Sequence, residues 1–245
     1  MKKLIKLFLF LFSFISIQVM GEDTVLETNL KTTVLPNLPK IKQGPNLNYN
    51  HNCPNCTPTE SNYKITEANE KTAKLDSPTN KQTIELSILS LEKASVLFDK
   101  LAAQKDIPFA YAKDGCFARA HKMAMVLDDE KIITGKAFMQ GRFYAQTNSG
   151  PVFWTYHVAP IVLIKIGEDI NPYVFDPSMF KMPVPLAQWK QGLRKSPKSI
   201  FLAEYFTNRF SYDLFDKDKN LESYTDASIN SMNTENAKFL EYLPH

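Results

Sequence analysis

The stretch at positions 114–123 has the sequence DGCFARAHKM and places a single cysteine, Cys116, where a helix is predicted to begin. Gly115 gives the backbone the freedom for a sharp entry, and Asp114 is the predicted N-cap of that helix. In a first helical turn, free N–H groups and the helix dipole favour a thiolate and can hold an oxyanion, so Gly115 belongs to a candidate oxyanion pocket. Positive charge follows in the next turn, from Arg119 and Lys122.

Two further stretches supply partners for this thiol. Residues 154–159, WTYHVA, lie in a predicted strand that contains His157, and residues 175–178, FDPS, end the next predicted strand with Asp176. A thiol attacks as its thiolate and therefore needs a base, which a third group has to hold in place. The pattern predicts Cys116 as nucleophile, His157 as base and Asp176 as the carboxylate that orients the imidazole.

Each of these residues also has an ordinary structural explanation. Free cysteines are often buried, histidines in apolar strands are often satisfied core residues, and Asp-Pro-Ser is a common turn. His121 follows Cys116 by five positions and lies on roughly the opposite side of the helix, which leaves His157 as the better base. Trp154 and Tyr156 flank that histidine, where they either pack in the core or shape a substrate pocket.

Length and composition describe an exported chain with one catalytic domain. With 245 residues, 44% of them hydrophobic, the chain can bury a core. Residues 1–21 have a basic start and an apolar run at 7–19, which predicts a signal peptide, and the run is too short for a confident membrane span. Removal of its three lysines would leave 26 basic and 26 acidic residues, dispersed along the chain. We therefore expect a periplasmic or secreted protein with no nucleic-acid partner and no stable membrane association after signal removal.

The three cysteines divide into a pair and a single thiol. In an oxidising compartment Cys53 and Cys56, which are separated by two residues, can form a local disulfide and leave Cys116 as the reactive odd thiol. With His51 the pair would offer a metal three ligands and no fourth. We therefore expect no metal and no other cofactor.

The chain is predicted to have an N-terminal segment, a catalytic domain and a tail. Residues 22–82 are polar and rich in proline and are predicted to be mostly extended or disordered, residues 83–222 form the catalytic domain, and residues 223–245 are a tail or helix. The predicted helices are Ile84–Gln104, Cys116–Asp129, Leu186–Arg194 and Glu235–Leu243, and the predicted strands are Gly135–Gln146, Val152–Ile166, Tyr173–Asp176 and Ile200–Phe210. Helices followed by consecutive strands favour an α+β fold with an antiparallel sheet.

The three motifs together, with Pro183-Val184 and Trp189 beyond them, closely resemble the bacterial protein-glutaminase family. The resemblance covers residues 101–189 and extends more loosely to about 214. It implies a papain/transglutaminase-like core, in which a helix-borne cysteine packs on an antiparallel sheet that carries the histidine and aspartate. It also implies hydrolysis of the side-chain amide of protein-bound glutamine to glutamate and ammonia, through a thioester on Cys116, with His157 as base and acid and Asp176 as orienting group.

The same resemblance implies that the chain can be made as a zymogen, because family members can be made as precursors whose N-terminal segment covers the active site. Residues 22–82 are the candidate pro-segment. Three alternatives remain open at this point: a transglutaminase, a cysteine peptidase, and a non-catalytic binding protein with the same fold. The expected partner is a glutamine-containing protein or peptide, and the sequence leaves its identity, the acyl acceptor and the oligomeric state open.

Overall fold

The computed structural model describes residues 63–77 and 79–243. The strands are β1 (Lys64–Thr66), β2 (Thr72–Asp76), β3 (Thr83–Ser90), β4 (Gly135–Thr147), β5 (Gly150–Ile166), β6 (Asp169–Val174), β7 (Val184–Pro185) and β8 (Ile200–Asn208). The helices are α1 (Leu91–Ala102), α2 (Cys116–Asp129), α3 (Leu186–Leu193) and α4 (Asp226–Glu241), with a short 3₁₀ turn at Leu214–Asp216. The predicted signal peptide and the predicted Cys53–Cys56 disulfide lie outside the described residues. None of the helices described is long and apolar enough to cross a bilayer.

One mixed sheet organises the chain in the order β1-β2-β3-β5-β4-β8, with β6 and then β7 attached to β5. Every pairing is antiparallel except that of β3 with β5. The longest contact is the β4–β5 hairpin, which runs from Thr147 opposite Gly150 to Gly135 opposite Ile161. The predicted α+β fold with a mainly antiparallel sheet is confirmed.

The second half of β5 lies at the centre of the core. Its residues Ile161, Val162, Leu163 and Ile164 are fully buried, because both faces of the sheet are covered there. Val162 and Ile164 pack with apolar residues of α1 and α2, while Ile161 and Leu163 belong to the cluster on the other face. Burial on both faces explains the unbroken apolar run in the sequence. This burial also holds the second half of β5 in place, and with it the first half of the strand, which carries His157.

The predicted helix Ile84–Gln104 is wrong in its first third. Residues 83–90 form β3, in which Ile84 and Leu86 are buried while Thr83 and Glu85 are exposed. The helix α1 begins only after Ser90, whose side chain accepts a hydrogen bond from the N–H of Lys93 at 3.2 Å. Alternation of period two, paired with β2 and β5, prevails over the helical spacing that the same apolar residues also satisfy.

The N-terminal segment is ordered over its last part, contrary to expectation. The strand β1 pairs with β2, and β2 pairs with β3, so the sheet continues across the predicted domain boundary at residue 83. Ala73 and Leu75 of β2 are fully buried in the core. The prediction of a mostly extended or disordered segment is therefore wrong for residues 63–77.

The structure also places the boundaries of two predicted elements differently. The strand predicted at Tyr173–Asp176 is β6 at Asp169–Val174, so Asp176 lies just beyond the strand rather than in it. The last helix begins at Asp226 instead of near Glu235, and Thr225 and Ser228 form a capping box at its start. The helix α4 packs along α2, and Phe239 near its end lies against Gly115.

Candidate active site

The cysteine stands at the first position of α2, and its approach differs in detail from the prediction. The N-cap is Gly115, in the left-handed region with φ 75°, and not Asp114. The Asp114 carboxylate instead accepts the N–H of Gly115 at 2.7 Å. A side chain at Gly115 would be strained by this φ, and its Cβ would meet the ring of Phe239 at 2.4 Å. Glycine is therefore required both for the turn and for the close packing of α4.

The start of α2 leaves backbone donors next to the thiol. The first bond inside the helix runs from the N–H of Arg119 to the carbonyl of Gly115, at 3.0 Å. The N–H groups of Cys116 and the two residues after it precede that bond, as at every helix N-terminus. Donors of this kind, with the positive end of the helix dipole, suit an anion that develops beside the sulfur.

A histidine and a carboxylate lie together on the sheet next to this helix. His157 in β5 and Asp176 beyond β6 are 1% and 3% exposed, and His157 Nε2 lies 2.8 Å from Asp176 Oδ2. The same Oδ2 accepts the indole N–H of Trp189 at 2.9 Å, and Oδ1 accepts the hydroxyl of Ser178. Three donors thus fix the carboxylate, which in turn fixes one nitrogen of the imidazole.

The second imidazole nitrogen is left for the thiol. His157 Nδ1 is buried and has no hydrogen-bond partner among the residues that the structure describes. Burial lowers the pKa of His157, but the Asp176 carboxylate and then Cys116 outweigh it and raise the pKa to about 9. Burial acts to raise the pKa of Asp176, yet the charge and hydrogen bond of His157 hold it below its usual value. The pair is therefore an imidazolium and a carboxylate at neutral pH.

Aromatic side chains frame the histidine on two sides. The indole of Trp154 stacks on His157 with ring centres 4.1 Å apart and planes 1° from parallel, and its N–H bonds to the carbonyl of Ala112 at 2.9 Å. Trp189 lies 5.6 Å from the same ring, tilted by 34°. The face of an indole attracts a cation, so the stack favours the protonated imidazole. The phenol of Tyr156 lies near the thiol, and burial and then Cys116 raise its pKa.

The structure therefore brings together all the described residues that the sequence pattern assigns to the site. His121 does not join them, as predicted: its ring lies 2.6 Å from Lys136 Nζ and 3.1 Å from Ser228 Oγ in a separate buried cluster. Among residues 63–77 and 79–243 no three His, Cys, Asp or Glu side chains lie together as metal ligands.

Sequence reasoning assigned no role to Ser178 or Trp189, the two further donors to Asp176. The Asp-Pro-Ser turn offered a signal for Ser178, because a hydroxyl two residues after an aspartate can bond back to it. Trp189 gave no comparable local signal, since α3 brings it to the carboxylate through the tertiary fold.

The arrangement defines a class. A cysteine at a helix start, facing a histidine and an aspartate carried by an antiparallel sheet, is the constellation of a cysteine hydrolase with a papain/transglutaminase-like fold. Residues 94–193, which include all three side chains, match the family described as Glutaminase. In this match and in its fold the chain is similar to the protein-glutaminases.

Solved structures of this type resemble the chain over most of their own length. A crystal structure of protein-glutaminase is 27% identical, with a TM-score of 0.54, over 63% of this chain and 89% of that one. The NMR structure of protein-glutaminase from Chryseobacterium proteolyticum is 26% identical, with a TM-score of 0.56, over 64% and 90%. A crystal structure of pro-protein-glutaminase shares the fold at 20% identity and a TM-score of 0.53, over 74% and 91%. No curated protein matches the chain.

Proposed function

We propose that this chain hydrolyses the side-chain amide of protein-bound glutamine, with Cys116 as nucleophile, His157 as base and acid, and Asp176 as the group that orients His157. The observation that carries the proposal is the buried His157–Asp176 pair at 2.8 Å, with the second imidazole nitrogen left for Cys116. These residues lie inside the part of the chain that matches the glutaminase family.

The first half of the reaction forms a thioester. The Cys116 sulfur attacks the glutamine Cδ, and the carbonyl oxygen takes up negative charge beside the N–H groups at the start of α2. His157, protonated because its pKa is raised to about 9, gives a proton to the amide nitrogen as the C–N bond breaks. Ammonia leaves, and the γ-glutamyl group stays on the sulfur.

The second half reverses these roles with water. The imidazole, now neutral, takes a proton from water, and the oxygen attacks the thioester carbon. The C–S bond breaks, the product carries a glutamate, and the imidazolium and thiolate are restored. Asp176 keeps Nε2 protonated throughout, so that only Nδ1 exchanges protons with the reacting groups.

The burial of the nucleophile favours a side-chain substrate over a main-chain one. Cys116 is only 5% exposed. The carboxamide of glutamine stands at the end of three side-chain carbons and can enter a narrow opening alone, whereas a peptide bond would carry both flanking residues with it. The burial of Cys116 therefore supports deamidation over peptidase activity.

The contacts of β2 support an inhibitory pro-segment that ends earlier in the chain than residue 82. A cut near residue 81 would remove β1 and β2, strip β3 of a partner strand and take Leu75 out of the core. We therefore propose that processing, where it occurs, removes residues before Tyr63, together with the signal peptide that directs export. A chain begun near residue 63 should then be at least as active and as stable as the longer exported one, and a less stable product would contradict this placement.

The test uses a glutamine-containing protein such as casein, with the exported chain and the chain begun near residue 63 each beside its Cys116→Ala variant. The proposal predicts ammonia release, and a mass increase at glutamines that corresponds to conversion of an amide into an acid, both absent from the variant. Incorporation of a labelled amine in place of water would identify a transglutaminase. Shortened peptides would identify a peptidase, and no product of any kind would favour a binding protein.

A further inference from the structure

A buried arginine lies one helical turn beyond the cysteine and has no carboxylate partner among the residues that the structure describes. Arg119 is 2% exposed, and its Nη1 donates to the carbonyls of Tyr111 and Asp114 at 2.8 and 2.5 Å. Its Nη2 is also buried and has no hydrogen-bond partner among residues 63–77 and 79–243. Arg119 thus binds the turn that leads into Cys116 through Nη1, while Nη2 makes no hydrogen bond to the described residues.

A guanidinium in this position needs a negative charge nearby. Arginine stays protonated in proteins, and a buried charge without a counter-ion is costly. Burial lowers the pKa of Arg119, and the charge that most opposes this effect is that of Cys116, followed by Asp176 and Asp114. The carboxylate of Asp176 already neutralises His157. The carboxylate of Asp114 is exposed and accepts the N–H of Gly115. The sulfur of Cys116 is therefore the buried group that can supply a counter-ion to Arg119.

The second basic residue of this helix serves as a contrast. Lys122 bonds to Asp106 at 3.1 Å, and its side chain is 27% exposed. The charge of Lys122 is paired at the surface. Of the two basic residues expected to provide positive potential near Cys116, only Arg119 therefore does so. Lys122 offers a matched control, with the same charge in the same helix at a place where water screens it.

We propose that Arg119 is a positioning residue that keeps Cys116 in the thiolate form, with the thiol proton on His157 Nδ1, while its two main-chain bonds fix the turn that carries the sulfur. The inference rests on the proposed role of Cys116 as nucleophile. It requires no particular substrate, because it concerns the ionisation of the sulfur alone.

The test measures the alkylation rate of Cys116 by iodoacetamide against pH, followed by mass spectrometry of the peptide that contains it. In Arg119→Gln the midpoint of the thiolate profile should move to higher pH, so that alkylation on the acidic limb slows by about tenfold or more, equivalent to at least about one pKa unit. Arg119→Lys, which keeps the charge, should retain most of the wild-type midpoint, and Lys122→Gln all of it. An unchanged midpoint in Arg119→Gln, whatever the absolute rate, would overturn the proposal.

A second measurement serves if Arg119→Gln does not fold. In His157→Gln, where Arg119 is the cation that remains beside the sulfur, Cys116 is converted either to the anionic carboxymethyl or to the neutral carboxamidomethyl adduct. The anionic adduct should melt at the higher temperature, and an equal or lower melting temperature would overturn the proposal. Neither experiment uses glutamine, so failure to release ammonia would count against the proposed function and not against this inference.

Discussion

Replacement of Asp176 by asparagine separates orientation of the histidine from its charge. Oδ2 of Asp176 accepts from both His157 and Trp189, while Oδ1 faces the hydroxyl of Ser178. In Asp176→Asn the amide oxygen can take the place of Oδ2, and the amide nitrogen can donate to the serine hydroxyl, which is free to rotate. The hydrogen bonds survive, and the carboxylate charge is lost.

The expected size of the effect follows from the balance at His157. Without the anion, burial acts on the imidazole with less opposition, and its pKa should fall from about 9 to below the ordinary 6.5. That fall corresponds to roughly 3 kcal/mol of lost stabilisation of the imidazolium. Above neutral pH the variant would hold a mostly neutral imidazole with no proton to give to ammonia, and kcat/KM should drop by roughly 10²-fold.

The assay is ammonia release from a glutamine peptide, measured as kcat/KM across pH 5 to 10. The wild type should lose activity as pH rises through about 9. In Asp176→Asn the same alkaline limb should move to a pH below neutrality. Asp169→Asn is the matched control, because that carboxylate is exposed at the start of β6. An alkaline limb that stays at the wild-type position in Asp176→Asn would refute the reasoning.

The remaining predictions concern the nucleophile, pH stability and the last helix. Cys116→Ala should abolish ammonia release while the circular dichroism spectrum stays that of the wild type, and any release above background would contradict its role. The pKa of His157 is raised in the folded state, so its stabilisation is fully present below 6.5 and lost as pH rises to about 9; melting temperatures should fall over that window in the wild type and not in His157→Gln. Phe239→Ala should cost about 3 to 4 kcal/mol in urea unfolding and lower kcat more than it changes KM, because the ring supports the turn at Gly115. A loss of under about 1 kcal/mol would show that α4 does not support that turn.

The residues of the candidate site could be predicted because their signals are local. Gly115 before Cys116 indicates a sharp entry into a helix, and the run of apolar residues around His157 indicates a buried strand. The sequence could not predict which side chains of different helices and strands come into contact. Trp189 meets Asp176 only because α3 packs beside β6. The proposed role of Arg119 becomes visible only in the fold, which buries its side chain with no carboxylate partner in the described part of the chain.

The errors in the fold have a similar origin. The apolar residues between Ile84 and Leu101 satisfy helical and strand periods at once, and only the pairing of β3 with β2 and β5 decides between them. The strand β2 contributes just two buried apolar side chains, too few to distinguish it from the polar segment before it. Non-local pairing leaves little trace in a single short stretch of sequence.

The central claim is that Cys116 forms a covalent bond to the glutamine side chain, and it can be tested by trapping that intermediate. A glutamine peptide is mixed with the wild-type enzyme, the reaction is quenched with acid during the first turnovers, and the protein is digested for mass spectrometry. The account predicts that the peptide containing Cys116 carries the mass of the substrate less one ammonia, and that hydroxylamine removes it. Ammonia release with no adduct at Cys116, under conditions in which the wild type is active, would contradict the account.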